Sequence, residues 1–141
     1  MRIRATFTLA LLAASTVTAA WDPARATFRL VARSWTSRVA IAGRSMEPAL
    51  DDGDWVLVDP DAYRSRPPRP GDLILAPDPR QPERALIKRV AEVDRAGRLT
   101  ILGDAPDAST DSRAFGTIAA ADVHGRPWFR YWPPRRLGPL R

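Results

Sequence analysis

The stretch Ala85-Leu86-Ile87-Lys88-Arg89-Val90-Ala91-Glu92-Val93 carries a mostly β-like pattern. In two-fold alternation Lys88 shares a face with Leu86 and Val90, and Ile87 and Arg89 point the other way. That alternation sets Lys88 among apolar neighbours, where a charged amine is disfavoured and its pKa falls. Lys88 is also the only lysine, because 21 of the 22 basic residues are arginines. A chain so biased keeps a lysine where arginine cannot substitute, and the clearest such task is that of a base. The competing reading is a surface lysine that survived drift in an arginine-rich composition.

Working outward, Asp94 to Gly97 reads as a hairpin turn and Arg98 to Leu102 as the returning strand. Upstream, Gly71-Asp72 leads into a strand at Leu73 to Ala76, and Gly53-Asp54 leads into another at Trp55 to Val58. Tyr63 to Pro70 and Asp78 to Glu83 read as polar, proline-bearing loops. Arg38 to Ala42 is expected to be a short strand, and Trp128 to Trp132 a final aromatic one, stopped by Pro133-Pro134. Fourteen prolines and eight glycines argue against a helical bundle. The predicted fold is mainly β, a compact set of short, mostly antiparallel strands preceded by an N-terminal hydrophobic helix.

Ser45 lies in Gly43-Arg44-Ser45-Met46-Glu47-Pro48, with Met46 and Leu50 spaced for one helical turn. A serine and a desolvated lysine suggest a nucleophile served by a base, and hence acyl transfer, most simply peptide hydrolysis. There is no cysteine, so thiolate chemistry and disulfides are excluded. With His124 the single histidine, a metal site is poorly supported, and no cofactor motif is present. The net charge of +6 is compatible with nucleic acid, an anionic lipid surface or a solvated basic exterior. No zinc-finger spacing or RNA-binding aromatic motif raises the first, and nucleic acid is not an expected partner. Gly103 to Gly116 is long and polar and needs internal hydrogen bonds to stay ordered, for which Asp111 with Arg113 is a candidate anchoring pair.

Arg2 and Arg4 precede an uncharged run from Ala5 to Trp21. Its length admits a short transmembrane helix, and its shape also fits a cleaved export signal or a helix packed on the domain. The uncleaved anchor is the preferred reading. The chain then divides into an anchor and basic linker over 1–36, a catalytic domain over 37–134 and a basic tail over 135–141, expected to fray.

Three separated segments resemble the type I signal peptidase family of membrane-associated serine proteases. Gly43 to Leu50 with Gly53-Asp54 is similar to the family's nucleophile box. Gly71-Asp72-Leu73-Ile74 followed by Ile87-Lys88-Arg89-Val90 is similar to its base-bearing box, and Gly103 to Gly116 to its late glycine-aspartate and serine-aspartate-serine-arginine box. The resemblance spans most of Ser37 to Trp132. It implies Ser45 as nucleophile, Lys88 as general base and Ser109 as a hydroxyl that hydrogen-bonds and orients the lysine. It further implies Asp111 and Arg113 as a bracing ion pair and Met46 as packing beneath the nucleophile. The Ser45 amide is the natural oxyanion donor. Some relatives add a hydroxyl where Gly43 stands here, which leaves a Gly43 or neighbouring amide, water, or no second donor.

The resemblance implies an endopeptidase that removes N-terminal leaders from precursor proteins, cutting after small residues, in contact with membrane lipid. It places the anchor in the cell membrane and the catalytic domain outside the cytoplasm. Ala105 replaces the family's common asparagine, and Glu92 to Gly97 replaces a leucine-proline-glycine-aspartate turn. The compact length and the ending Trp128 to Pro134 resemble the subgroup that matures nickel-containing superoxide dismutase, which would allow a cytoplasmic location. A non-catalytic leader-binding membrane protein and a self-cleaving DNA-associated regulator are further alternatives. Retention of both Ser45 and Lys88 weighs against the first, and the 44 residues before Ser45, which leave no evident helix-turn-helix, weigh against the second.

Overall fold

The computed structural model describes residues 22–24 and 37–141. The hydrophobic helix expected over 5–21 lies outside the described residues. Among the described residues no helix is long and apolar enough to cross a membrane.

Two four-stranded antiparallel sheets make up the domain. The first contains β1 (Arg38–Ala40), β2 (Trp55–Asp59), β7 (Arg126–Trp132) and β8 (Gly138–Pro139), paired in that order. The second contains β3 (Leu73–Asp78), β4 (Gln81–Val93), β5 (Arg98–Leu102) and β6 (Ile118–Ala119), again in that order. A bridge between Leu75 and Gly125 joins the sheets. Met46, Leu50, Val56, Val58, Leu73 and Ile87 form one buried cluster, and Ile74, Ala76, Val90, Leu99, Ile101 and Ile118 form a second. Strand β4 serves both, because alternate residues of one strand face opposite sides.

Strand β4 is longer than its apolar run. Residues 81–83, expected in a loop, extend it outward together with Arg84, with Asp78 opposite Gln81 across a two-residue turn. The Asp78 carboxylate accepts the Arg80 amide at 2.9 Å and fixes that turn, a local device that polar composition alone does not reveal. Pro82 falls beside the register shift at Pro77/Asp78, where the loss of a ladder donor is tolerated. On its other edge β4 pairs with β5 from Arg89 onward, so Arg84 to Lys88 have one edge without a strand partner.

The tail is not frayed. β8 pairs with β7, Leu140 packs against the first cluster, and Leu140 N donates to Trp128 O at 2.9 Å. The anchor is Asp54, 1% exposed. Its carboxylate accepts from Arg130 Nη1 at 3.0 Å, from Arg136 Nη1 at 3.3 Å and from the Asp51 amide at 2.9 Å. Arg130 Nη1 also donates to Ala49 O at 2.9 Å, which ties the end of the serine turn to β7. Arg136 contacts Asp51 as well.

Replacing Asp54 with alanine leaves the mostly buried Arg130 guanidinium without its counter-charge. The expected loss is about 3–5 kcal/mol in urea or guanidinium unfolding, and Arg136→Ala, at a more exposed pair, loses about 1 kcal/mol. Equal unfolding midpoints for Asp54→Ala and the parent chain would remove Asp54 from this role.

Candidate active site

The serine turn is held from both ends. Ile41 N donates to Asp54 O at 2.8 Å and Gly53 N returns to Ile41 O at 2.9 Å, which closes the loop that presents Ser45. Within it Leu50 N donates to Met46 O at 2.9 Å, the single helical turn expected from their spacing. Met46 and Leu50 are buried in the first cluster and pin the turn down, leaving Ser45 half-buried above them. Gly43 has φ of +93°, a conformation that costs a side-chain-bearing residue strain. Its N–H donates to Asp52 Oδ1 at 2.8 Å and is therefore committed to holding the loop. Neither Arg44 N nor Ser45 N has an acceptor among the described residues.

Lys88 lies on β4 directly opposite Ile74. It is 3% exposed, and its Nζ and Ser45 Oγ share a hydrogen bond of 2.6 Å across 43 residues of sequence. Burial pushes the Lys88 ammonium below its usual pKa. The negative charge of Asp111 opposes this most, with smaller opposition from Asp104 and Asp78, and Arg84 adds to the lowering. Arg89, the next residue, forms a two-pronged pair with Asp104 at 2.9 and 2.8 Å, fixing β4 to the Gly103 segment beside the lysine.

That segment is organised around Asp111, whose side chain is buried. It accepts from Gly103 N at 2.9 Å, from Ser109 Oγ at 2.6 Å, and from Arg113 at 2.9 Å and 2.8 Å. It also caps the one-turn helix α1 (Ser112–Phe115) through the Arg113 amide at 3.2 Å. Burial alone would raise the Asp111 pKa; these bonds outweigh it and hold the carboxyl well below the usual range. Ala105 N donates to Ser45 O at 3.0 Å, so the segment grips the carbonyl of Ser45 itself. A Cβ on Gly103 would stand 2.2 Å from Ser109 Oγ and 2.5 Å from Ser45 O, so only glycine fits there.

Ser45, Met46, Lys88, Ser109, Asp111 and Arg113 thus surround one place. The expected bond from Ser109 to Lys88 is the exception. The Ser109 proton goes to Asp111, because a buried carboxylate is a stronger acceptor than an amine with a serine already beside it. Sequence reasoning did not single out Asp52, Gly103 or the Arg89–Asp104 pair; the Gly-Asp dipeptide at 103–104 was the available signal. Beside Ser45 and Lys88 opens a cleft of about 220 Å³ between β1 and the unpartnered edge of β4, walled chiefly by Val39, Ile41, Leu75 and Leu86. Among the described residues no three His, Cys, Asp or Glu converge as metal ligands.

The described residues thus hold a hydroxyl against a buried amine, beside an apolar cleft with open strand edges. The chain belongs to the signal peptidase, peptidase S26, family, whose family model matches residues 7–95 and 91–132. It is 33% identical over 127 aligned positions to the mitochondrial ATP-independent inner membrane protease subunit 1a of Arabidopsis thaliana, covering 74% of this chain and 76% of the relative. It is 32% identical over 122 positions to the mitochondrial inner membrane protease subunit 1 of Xenopus tropicalis, covering 73% of each. Subunit 2 of Danio rerio is 32% identical over 117 positions, covering 68% of this chain and 64% of the relative.

Asp111 supplies a pH signature. Its folded pKa is depressed, so its contribution is present above the ordinary value near 4 and is lost as pH falls through the folded one. Asp111→Asn is expected to cost about 1–2 kcal/mol at neutral pH, discounted because Arg113 is half exposed. Paired unfolding curves should show the gap between variant and parent closing below about pH 4. A gap that stays constant to pH 2 would contradict the ionised-Asp111 account.

Proposed function

We propose that the chain is a membrane-anchored serine endopeptidase that removes N-terminal leader peptides, with Ser45 as nucleophile and Lys88 as general base. The observation that carries the reading is the 2.6 Å contact between Ser45 Oγ and the buried Lys88 Nζ. A neutral Lys88 accepts the Ser45 proton as Oγ attacks the scissile carbonyl, then returns it to the leaving amine as the bond breaks. Water repeats the cycle on the acyl-enzyme and frees the new carboxyl terminus. The oxyanion is met by the Ser45 N–H. The Gly43 N–H, bonded to Asp52, is not available as the second donor, which leaves the Arg44 N–H as the nearer backbone candidate.

The substrate reading follows from the cleft. An extended leader can add itself as a strand along the open edges of β1 and β4, with backbone hydrogen bonds for affinity. The shallow apolar walls then favour small side chains next to the scissile bond. Family membership and the inner membrane proteases among its relatives support attachment to a membrane, for which residues 5–21 are the proposed anchor. In this reading Asp111 and Arg113 brace the site, Met46 supports the serine turn, and Ser109 acts by fixing Asp111.

Sequencing the products made from a conventional secretory preprotein and from a nickel-superoxide-dismutase precursor tests the function. The parent chain, in detergent or lipid, is expected to create a new mature N-terminus after a small residue in the secretory protein. Ser45→Ala and Lys88→Arg should abolish the cut while remaining folded by circular dichroism, since guanidinium cannot serve as base. A cut confined to the metalloenzyme precursor would establish the specialised maturation role. No cut of either by folded enzyme, or normal turnover by Lys88→Arg, would defeat the proposal.

A further inference from the structure

The cleft has a charge asymmetry that leader cleavage alone does not require. Among the described residues lining it, two are basic: the buried Lys88 at the reacting end, which the mechanism needs neutral, and Arg84 four residues earlier on β4, which stays charged. No carboxylate lines it. Arg84 has no hydrogen-bond or ion-pair partner among the described residues. Asp78, the acidic side chain that feels its charge, is already bonded to Arg80 at 3.2 and 3.3 Å. Arg84 is exposed, and strand alternation puts it on the face of Leu86 and Lys88. A cation with no counter-ion among the described residues, on the wall of an otherwise apolar groove, is complementary to an anion carried by whatever fills the groove.

We propose that Arg84 is a specificity-determining residue that binds an acidic side chain of the substrate peptide, three to five residues from the scissile bond. Four residue steps along the strand lead from Arg84 to Lys88, roughly 13 Å at about 3.3 Å per residue. A substrate strand laid along β4 spans the same distance in four residues, and the length of the arginine side chain widens the window by one on each side. The inference rests on the leader-peptidase reading. It differs from the simpler role of a charge that keeps an open strand edge from pairing with another chain, which would leave substrate choice untouched.

Internally quenched peptides with alanine beside the scissile bond, carrying one Glu, Gln or Lys at successive positions, separate these roles. The parent full-length chain should show kcat/KM about 3–5-fold higher for Glu than for Gln at one position in the window. That ratio should fall to about one in Arg84→Gln and invert in favour of Lys in Arg84→Glu, with all preferences weakening as salt rises. Equal Glu-to-Gln ratios in the parent and Arg84→Gln at every position, with Ser45-dependent cleavage intact, would overturn the Arg84 assignment and leave the peptidase standing. Absence of cleavage of every peptide by the folded parent chain would overturn both.

Discussion

A primary amine kept out of water is the constraint on which the rest of this molecule depends. Lys88 stands on a strand whose neighbours are Leu86, Ile87 and Val90, and it faces Ile74 across the sheet. Desolvation of an ammonium costs several kcal/mol unless the proton is given up, so the fold itself favours the neutral form. Among the described residues no carboxylate pairs directly with the amine. The carboxylates that act on it, Asp111, Asp104 and Asp78, are each bonded to an arginine. Their fields are tempered, and the balance is left on the side of burial.

Such a group is useful only if its partner is placed with little slack. The Ser45 turn is tied down three times: by Met46 and Leu50 in the core, by the backbone exchange of Ile41 with Gly53 and Asp54, and by Ala105 N on the serine carbonyl. Two buried aspartates carry these restraints further. Asp111 gathers Gly103, Ser109 and Arg113, and Asp54 gathers Asp51, Arg130 and Arg136. Every hydrogen bond to these carboxylates is charge-assisted, which makes them stronger than ordinary backbone bonds. The site is therefore supported by polar anchors at its flanks and by apolar packing beneath.

The antiparallel β architecture was legible wherever apolar alternation and turn chemistry agreed, as in the hairpin at Asp94 to Gly97. There the Asp94 carboxylate accepts the Ala96 and Arg98 amides at 2.8 and 2.9 Å. It failed where local composition and long-range contacts disagree. Gln81 to Glu83 look like loop, yet the strand continues because β3 lies alongside. The tail looks frayed, yet Arg136 finds Asp54 from 82 residues away, a contact that no sequence window contains. Ser45 and Lys88 stood out because their residue types are scarce or oddly placed. Asp51, Asp52 and Asp54 are indistinguishable as letters, and their separate tasks emerge only from the loop that they close.

Because Lys88 is the sole lysine, lysine labelled with carbon-13 at Cε gives one side-chain resonance to follow, with no assignment problem. Its chemical shift, titrated by NMR in the folded chain, reads directly whether the amine is neutral in the resting molecule. The account predicts a midpoint below the ordinary lysine value of about 10.4, and its return to that value when the chain is unfolded in urea. A folded-state midpoint at or above the ordinary value would mean that Lys88 is a charged group at working pH, and the base assigned to Ser45 would have to be sought elsewhere.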